Sequence, residues 1–154
     1  MRRSTVLGAS ALALVVSACE PKPAPEAPPA AAPAPAEPAP PARRLDVTFP
    51  AEGDTVQGPS VTVHMAAFGF TIVPAGDTTA NSGHLHVFLD RDVSPAGATI
   101  PAEPGFIVHM GNGADSLKIE TVAPGAHRLI GVVGDAKHVP VEPALVDTVN
   151  FFVK

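Results

Sequence analysis

Short apolar runs, separated by clusters of glycine, proline, asparagine and aspartate, fill the chain from residue 45 to residue 154, and no stretch keeps a helical apolar period. In residues 60–68, apolar side chains at every second position alternate with Thr62 and His64, which indicates a strand with one buried face. The same kind of pattern predicts seven strands, over residues 45–49, 60–68, 85–90, 106–110, 117–122, 127–134 and 146–153.

Seven short strands with turn residues every ten to twenty positions predict an all-β fold, an immunoglobulin-like antiparallel β-sandwich. The segment from Gly125 to Leu129 fits this fold, because immunoglobulin-like domains often have a Gly-x-aromatic-x-apolar pattern where their sixth strand begins. His127 takes the aromatic position of that pattern. Two long loops, at residues 70–83 and 91–105, leave room for a functional rim.

The first nineteen residues have the organisation of an export signal. A basic pair, Arg2 and Arg3, precedes an apolar run at residues 6–16, which is too short to span a bilayer that needs about 20 apolar residues. The sequence Val16-Ser17-Ala18-Cys19 resembles a bacterial lipobox, which predicts a signal peptide over residues 1–18 and a lipid on Cys19. The alternative is a plain signal peptide followed by a chance cysteine. Because the chain has one cysteine, it cannot form an internal disulfide.

Residues 19–44 are predicted to be the lipidated cysteine and a disordered tether. The stretch 20–42 contains ten prolines and no aromatic or β-branched residue, so it cannot bury enough apolar surface to fold and favours an extended conformation. Glu20, rather than aspartate, after the cysteine favours the outer membrane, facing the periplasm, if the host follows the enterobacterial sorting habit. Residues 45–154 are long enough for a single domain with its own core.

The charge balance restricts the partners of this domain. Residues 45–154 carry twelve acidic and five basic side chains, a difference of seven negative charges, which argues against binding to nucleic acid. The chain has no tryptophan or tyrosine, so the usual stacking platforms for sugars or single strands are missing. The expected partners are the membrane, through the lipid on Cys19, and in one interpretation another envelope protein.

The histidines are the best candidates for chemistry. His84 and His86 are two positions apart on a predicted strand, so their side chains project from one face and can bind one metal ion. In an immunoglobulin topology the third strand is antiparallel to the sixth, which places His84 near Asp135 and His138 at the end of the sixth. A nitrogen-rich set of this kind suits copper or zinc better than calcium or magnesium.

Each of these residues also has a structural interpretation. The His84/His86 pair can cap a loop, and Asp135 with His138 can be a hydrogen-bonded pair that holds one. His127 and His109 are further candidate ligands, although His127 fits a hydrogen-bonded corner residue better. His109 and its neighbour Met110 face opposite ways on a strand, so only one of them can join a given site. His64 is out of phase with its apolar neighbours and is expected to face solvent.

Several of these motifs together resemble the bacterial domain-of-unknown-function family DUF4399. Residues 83–90, Gly-His-Leu-His-Val-Phe-Leu-Asp, are similar to its first signature, and residues 124–129 with 134–140 are similar to its second. The stretch 109–113, His-Met-Gly-Asn-Gly, resembles an intervening motif that has an aromatic residue in place of Met110. The resemblance spans roughly residues 49–153 and implies an exported β domain with no assigned activity.

No nucleophile elbow and no phosphate-binding loop occurs in the sequence, so we expect a protein that is not an enzyme. The predicted function is that of an envelope lipoprotein whose β domain binds copper or zinc through His84, His86 and His138, with Asp135 as fourth ligand or as an orienting group. Two alternatives stay open. One is an interaction module of the envelope in which the histidines are structural, and the other is an enzyme of unknown class with an open metal position.

Overall fold

The computed structural model describes residues 42–154, so the predicted signal peptide, Cys19 and the tether up to residue 41 lie outside the described residues. Within this range the chain forms strands and no helix, and nothing in it is helical and long enough to cross a membrane. The nine strands are β1 (Arg44–Phe49), β2 (Thr55–Val56), β3 (Val61–Phe68), β4 (Thr71–Ile72), β5 (Ser82–Leu89), β6 (Ile107–Met110), β7 (Ser116–Ile119), β8 (Gly125–Gly134) and β9 (Val146–Val153).

The strands form two sheets, which confirms the all-β sandwich. The smaller sheet has the order β1-β3-β7, and the larger has the order β2-β9-β8-β5-β4, with β6 also paired to β5. This arrangement corresponds to the A, B and E strands of an immunoglobulin sandwich facing its G, F and C strands. The third and sixth predicted strands are β5 and β8, and they pair antiparallel with His84 opposite Gly134.

The main core lies between the two sheets. In β3 every second residue from Val61 to Met65 is buried, whereas His64 is exposed, as the apolar alternation predicts. Gly131 of β8 faces the same core, and a Cβ there would lie 2.7 Å from Sδ of Met65, so the absence of a side chain lets the sheets approach. At the sheet margin, the Val47 amide donates a hydrogen bond to the Asp147 carboxylate at 2.7 Å.

A second apolar cluster covers the outer face of the larger sheet. It consists of side chains from β5, β6 and β8 together with one residue of the long segment between β5 and β6, namely Phe88, Ile100, Ile107, Ile130 and Val132. Because this segment packs over the sheet, the outward-facing residues of β5 are buried like the inward-facing ones. The candidate site lies on this covered outer face.

Two strands were not predicted, β2 and β4, and each has two residues. Both pair parallel to a neighbour at the edge of a sheet, β2 with β9 and β4 with the first residues of β5. Strands this short have no periodicity to detect, because the backbone of the adjacent strand, and not their own side chains, defines them.

Candidate metal centre

Strand β5 supplies two histidines to the outer face of the larger sheet. Leu85, Val87 and Leu89 point into the core between the sheets, so the intervening positions, His84 and His86, point the other way. Both imidazoles are 1% exposed, because the larger sheet extends on both sides of β5 and the segment after it packs above. The prediction that the two rings share one face is correct.

A third histidine comes from β6. In the antiparallel β5–β6 pair His109 is directly opposite His86, so the two rings lie on the same face, with centroids 5.0 Å apart. The next residue, Met110, is buried in the core on the opposite face. His109 is exposed, unlike the two histidines of β5.

The fourth histidine is held by a turn that follows β8. The Asp135 carboxylate accepts hydrogen bonds from the amides of Lys137 and Val139, at 2.8 and 2.9 Å, and these bonds close the turn around His138. His138 has a φ of 62°, a left-handed conformation that is costly for a residue with a side chain. Its carbonyl oxygen accepts a hydrogen bond from the Ile100 amide at 2.7 Å, which ties the turn to the covering segment.

These four rings surround a common centre. The Nε2 atoms of His84 and His86 are 3.0 Å apart, and those of His109 and His138 are 3.2 Å apart. The six separations between ring centroids all lie between 4.6 and 5.7 Å, so the rings occupy the corners of a distorted tetrahedron. Two nitrogens bound to one ion at ~2.0–2.1 Å stand about 2.8–3.4 Å apart, depending on whether the angle between the bonds is closer to a right angle or to the tetrahedral one. Both short distances fall in that range.

Three of the four form the tightest group. One nitrogen from each of His84, His109 and His138 lies within 4.8 Å of the other two, which is close enough to hold one metal ion after small rotations of the rings. His86 stands beside this group through the contact of its Nε2 with that of His84.

Two glycines make room for the imidazoles. A Cβ on Gly111 would lie 2.5 Å from Cε1 and 2.9 Å from Nε2 of His109, so this ring occupies the space of a missing side chain. A Cβ on Gly134 would lie 2.9 Å from Nε2 of His86. Neither glycine has a positive φ, so other residues could adopt the backbone conformation at both positions. Glycine is required because a side chain would overlap the imidazole rings.

The electrostatics of the cluster favour neutral imidazoles. Burial, together with the nearby histidines, lowers the pKa of His84 to about 4 and that of His86 to about 3. Burial and the adjacent His138 also lower the pKa of His109. Protons are disfavoured because each buried charge loses its hydration and meets other imidazoles. At neutral pH these three rings therefore present the lone pairs that a metal needs.

The donor set is all nitrogen in the part of the chain that the structure describes. The group of potential ligands contains only histidines, and Oδ1 of Asp135 is used by the two amides of its own turn. Met65 and Met110 are buried between the sheets, away from the outer face. A set of imidazole ligands, with no thioether, thiolate or carboxylate among them, suits Zn(II) or Cu(II). It does not suit Ca(II) or Mg(II), which prefer oxygen ligands.

His127 lies elsewhere, at the start of β8, with the length of the strand between it and the cluster. Its Nε2 is 2.8 Å from the carbonyl oxygen of Ala123, and its Nδ1 is 2.7 Å from Oδ2 of Asp90. Both nitrogens are engaged, as in the corner position of an immunoglobulin domain, where an aromatic residue bonds to the backbone a few residues upstream. The structure therefore does not bring this candidate ligand to the site.

The predicted site residues and the cluster overlap in part. His84 and His138 are in the group of three, His86 is next to it, and Asp135 holds the turn. His109, which the sequence offered only as an additional ligand, belongs to the group of three. Gly111 and Gly134 were not predicted to matter, and their only signal was their place beside the histidine motifs.

Comparison with known proteins agrees with the sequence motifs. The profile of the family described as "Domain of unknown function (DUF4399)" matches residues 63–154. No curated protein matches the chain. A crystal structure of an engineered protein, a target of the Northeast Structural Genomics Consortium, aligns with 75% of this chain at 13% identity and a TM-score of 0.42. The chain spans 21% of that protein's length. On the family profile, which covers more than half of its residues, the chain belongs to the DUF4399 family.

Proposed function

We propose that this protein is a lipid-anchored protein of the bacterial envelope whose β domain binds one Zn(II) or Cu(II) ion through its histidine cluster, without catalysing a reaction. The observation that carries the proposal is the convergence of His84, His109 and His138, from three separate parts of the fold, with their nitrogens within 4.8 Å. His86, stacked behind them, completes the cluster.

A purely structural role for the histidines accounts less well for the geometry. Nδ1 of His86 is buried and has no hydrogen-bond partner among the described residues, a situation that costs about 1–3 kcal/mol. The left-handed backbone of His138 adds a further cost, of order 1–3 kcal/mol. Apolar side chains would fill the same space without either cost. The free energy of binding an ion to His84, His109 and His138 offsets both costs.

Metal binding can be measured directly on the full-length protein in detergent. At pH 7.5 we expect one equivalent of Zn(II) or Cu(II) per chain in equilibrium dialysis followed by elemental analysis, and no binding of Ca(II) or Mg(II) at the same concentration. Less than a tenth of an equivalent of both transition metals would contradict the proposal.

The variant Gly111→Ala tests the geometry without removing a ligand. The added methyl group takes the space of the His109 ring, so the ring must turn away while the backbone stays as it is. We expect the affinity for Zn(II) to fall on the order of 10–100-fold, the size seen when the surroundings of a metal ligand are disturbed. The matched control, His64→Ala, changes an exposed residue of the other sheet and should leave the affinity unchanged. Equal affinity in Gly111→Ala would show that His109 is not a ligand.

The envelope location rests on the lipobox-like sequence that ends at Cys19. Replacing Cys19 by alanine removes the thiol that receives the diacylglycerol, so the variant should lose lipid and move from the membrane fraction to the soluble fraction. Anchoring by two or more acyl chains is stable, whereas the unmodified chain has no such attachment. Incorporation of labelled fatty acid, followed by fractionation, checks this prediction. A Cys19→Ala protein that still carries lipid would contradict it.

A further inference from the structure

We infer that the ion held by His84, His109 and His138 keeps one coordination position open to solvent, and that this position takes a small monodentate anion in exchange for water. The inference rests on the proposed metal binding and adds a second ligand to it. Zinc sites that bind water or another small molecule have three protein ligands and one exchangeable position, whereas structural zinc sites are closed by four protein ligands.

Charge is the first reason. Imidazole binds a metal ion as a neutral ligand, and no carboxylate or sulfur belongs to the ligand group in the described part of the chain. The ligands themselves therefore leave the double charge of the ion uncompensated. The Asp135 carboxylate acts on His84 through space without being a ligand, so an anion in the open position neutralises the ion best. Lys137, exposed and adjacent to His138 in the turn, adds a positive charge to the same rim.

Access is the second reason. The three ligands differ in their exposure to solvent: His84 is buried, His138 is partly buried and His109 is exposed. The protein thus surrounds the ion from the side of the sheet, and solvent reaches it from the side of His109. Gly111, which has no side chain, lies next to the exposed ring.

His86 is the residue that decides between an open and a closed site. Its nitrogens are not part of the group of three, and its Nε2 is at hydrogen-bond distance, 3.0 Å, from Nε2 of His84. We assign His86 as a positioning residue: its Nε2 supports His84 at Nε2 from the buried side, which leaves Nδ1 of His84 for the ion. If it turned to bind the ion instead, four imidazoles would complete a tetrahedral shell and no anion would enter.

The exchange is a ligand substitution without redox chemistry. The bond between the metal and a water oxygen breaks, the bond between the metal and the anion forms, and water is released. The ion keeps its charge of two, and no proton or electron is transferred. The same position accepts hydroxide, azide or a single carboxylate oxygen.

Cobalt provides the test, because Co(II) accepts the geometry of zinc sites and has visible absorption, whereas Zn(II) with its filled d shell has none. The full-length protein is loaded with one equivalent of Co(II), which is verified by elemental analysis, and then titrated with sodium azide at constant pH and ionic strength. We expect a saturable change in the visible spectrum with a single dissociation constant. The variant His64→Ala should give the same titration.

Two results would overturn the inference, and they are distinguishable. Loaded protein with a spectrum that azide does not change, together with a His86→Gln variant that does respond, would identify His86 as the fourth ligand; metal binding itself would stand. Protein that takes up neither cobalt, zinc nor copper would overturn the proposed function and the inference with it. A response to azide in both the native protein and His86→Gln supports the open position.

Discussion

A hundredfold excess of Zn(II) or Cu(II) over its dissociation constant should raise the melting temperature of this protein by roughly 10–20 °C at pH 7.5. An ion that binds only the folded state stabilises it by RT ln(1 + [M]/Kd), about 2.7 kcal/mol at that excess. For a domain of this size, each kcal/mol corresponds to about 4–8 °C. The effect is large because the ligands come from β5, β6 and the turn after β8, so the unfolded chain has no equivalent site.

Variants and the pH dependence test whether the rise in melting temperature comes from metal bound to the histidine cluster. His84→Ala, His109→Ala and His138→Ala should each abolish most of the shift, whereas His64→Ala should keep it, since that residue is exposed on the other sheet. Protons compete with the metal for imidazole, so the shift should shrink in acid, and the lowered pKa values of His84 and His109 place this loss below the ~6.5 of an exposed histidine. Thermal scans with chelator, with metal and with metal plus chelator measure it. A melting temperature that neither metal changes would leave the histidines a structural role only.

Much of this site could be predicted because strand periodicity defines faces. Alternation alone places His84 and His86 on one face, and the immunoglobulin order brings β5 beside β8, which carries His138 to the same end. The position of His64 followed from the same alternation. These inferences need only the identity of the strands and their order.

The role of His109 could not be predicted because it depends on register. It lies opposite His86 only because β6 pairs with β5 after a long connection, and a shift of one residue would have put Met110 there instead. The sequence does not show where such a long connection brings the next strand, so it does not give the register of β6 on β5. The contribution of Gly111 was hidden for a related reason, since it depends on where the His109 ring lies.

Asp135 and His127 illustrate a different limit. Both are residue types that bind metals, and in this fold their polar atoms are occupied by nearby groups: Asp135 by two amides of its own turn, and His127 by Asp90 and a backbone carbonyl. Composition and spacing identify which residues have donor atoms. They do not reveal which of those atoms the backbone has already engaged.

In the absence of metal, the folded protein should begin to lose stability at a higher pH than protonation of its carboxylates alone would cause. The pKa of His86 is about 3 and that of His84 about 4 in the folded protein, against about 6.5 for an exposed histidine, because burial and the neighbouring imidazoles disfavour their charge. The unfolded chain then binds more protons than the folded one between these values. The free energy of unfolding therefore has its full value above pH ~6.5 and decreases as the pH falls towards 4 and then 3.

The size of this loss can be estimated and assigned to one residue. At pH 5 an unfolded histidine is almost fully protonated, whereas His86 is still neutral when folded, which corresponds to roughly 2 kcal/mol at 1.36 kcal/mol per pH unit. Urea unfolding with chelator at pH 7.5, 6, 5 and 4 should show a steeper decline for the native protein than for His86→Gln, which has no proton to bind at that position. Carboxylates titrate equally in both proteins, so the difference between the curves isolates the histidine. Parallel curves for the two proteins would mean that His86 is protonated in the folded state like an exposed histidine, and the neutral cluster proposed as a metal site would lose its electrostatic basis.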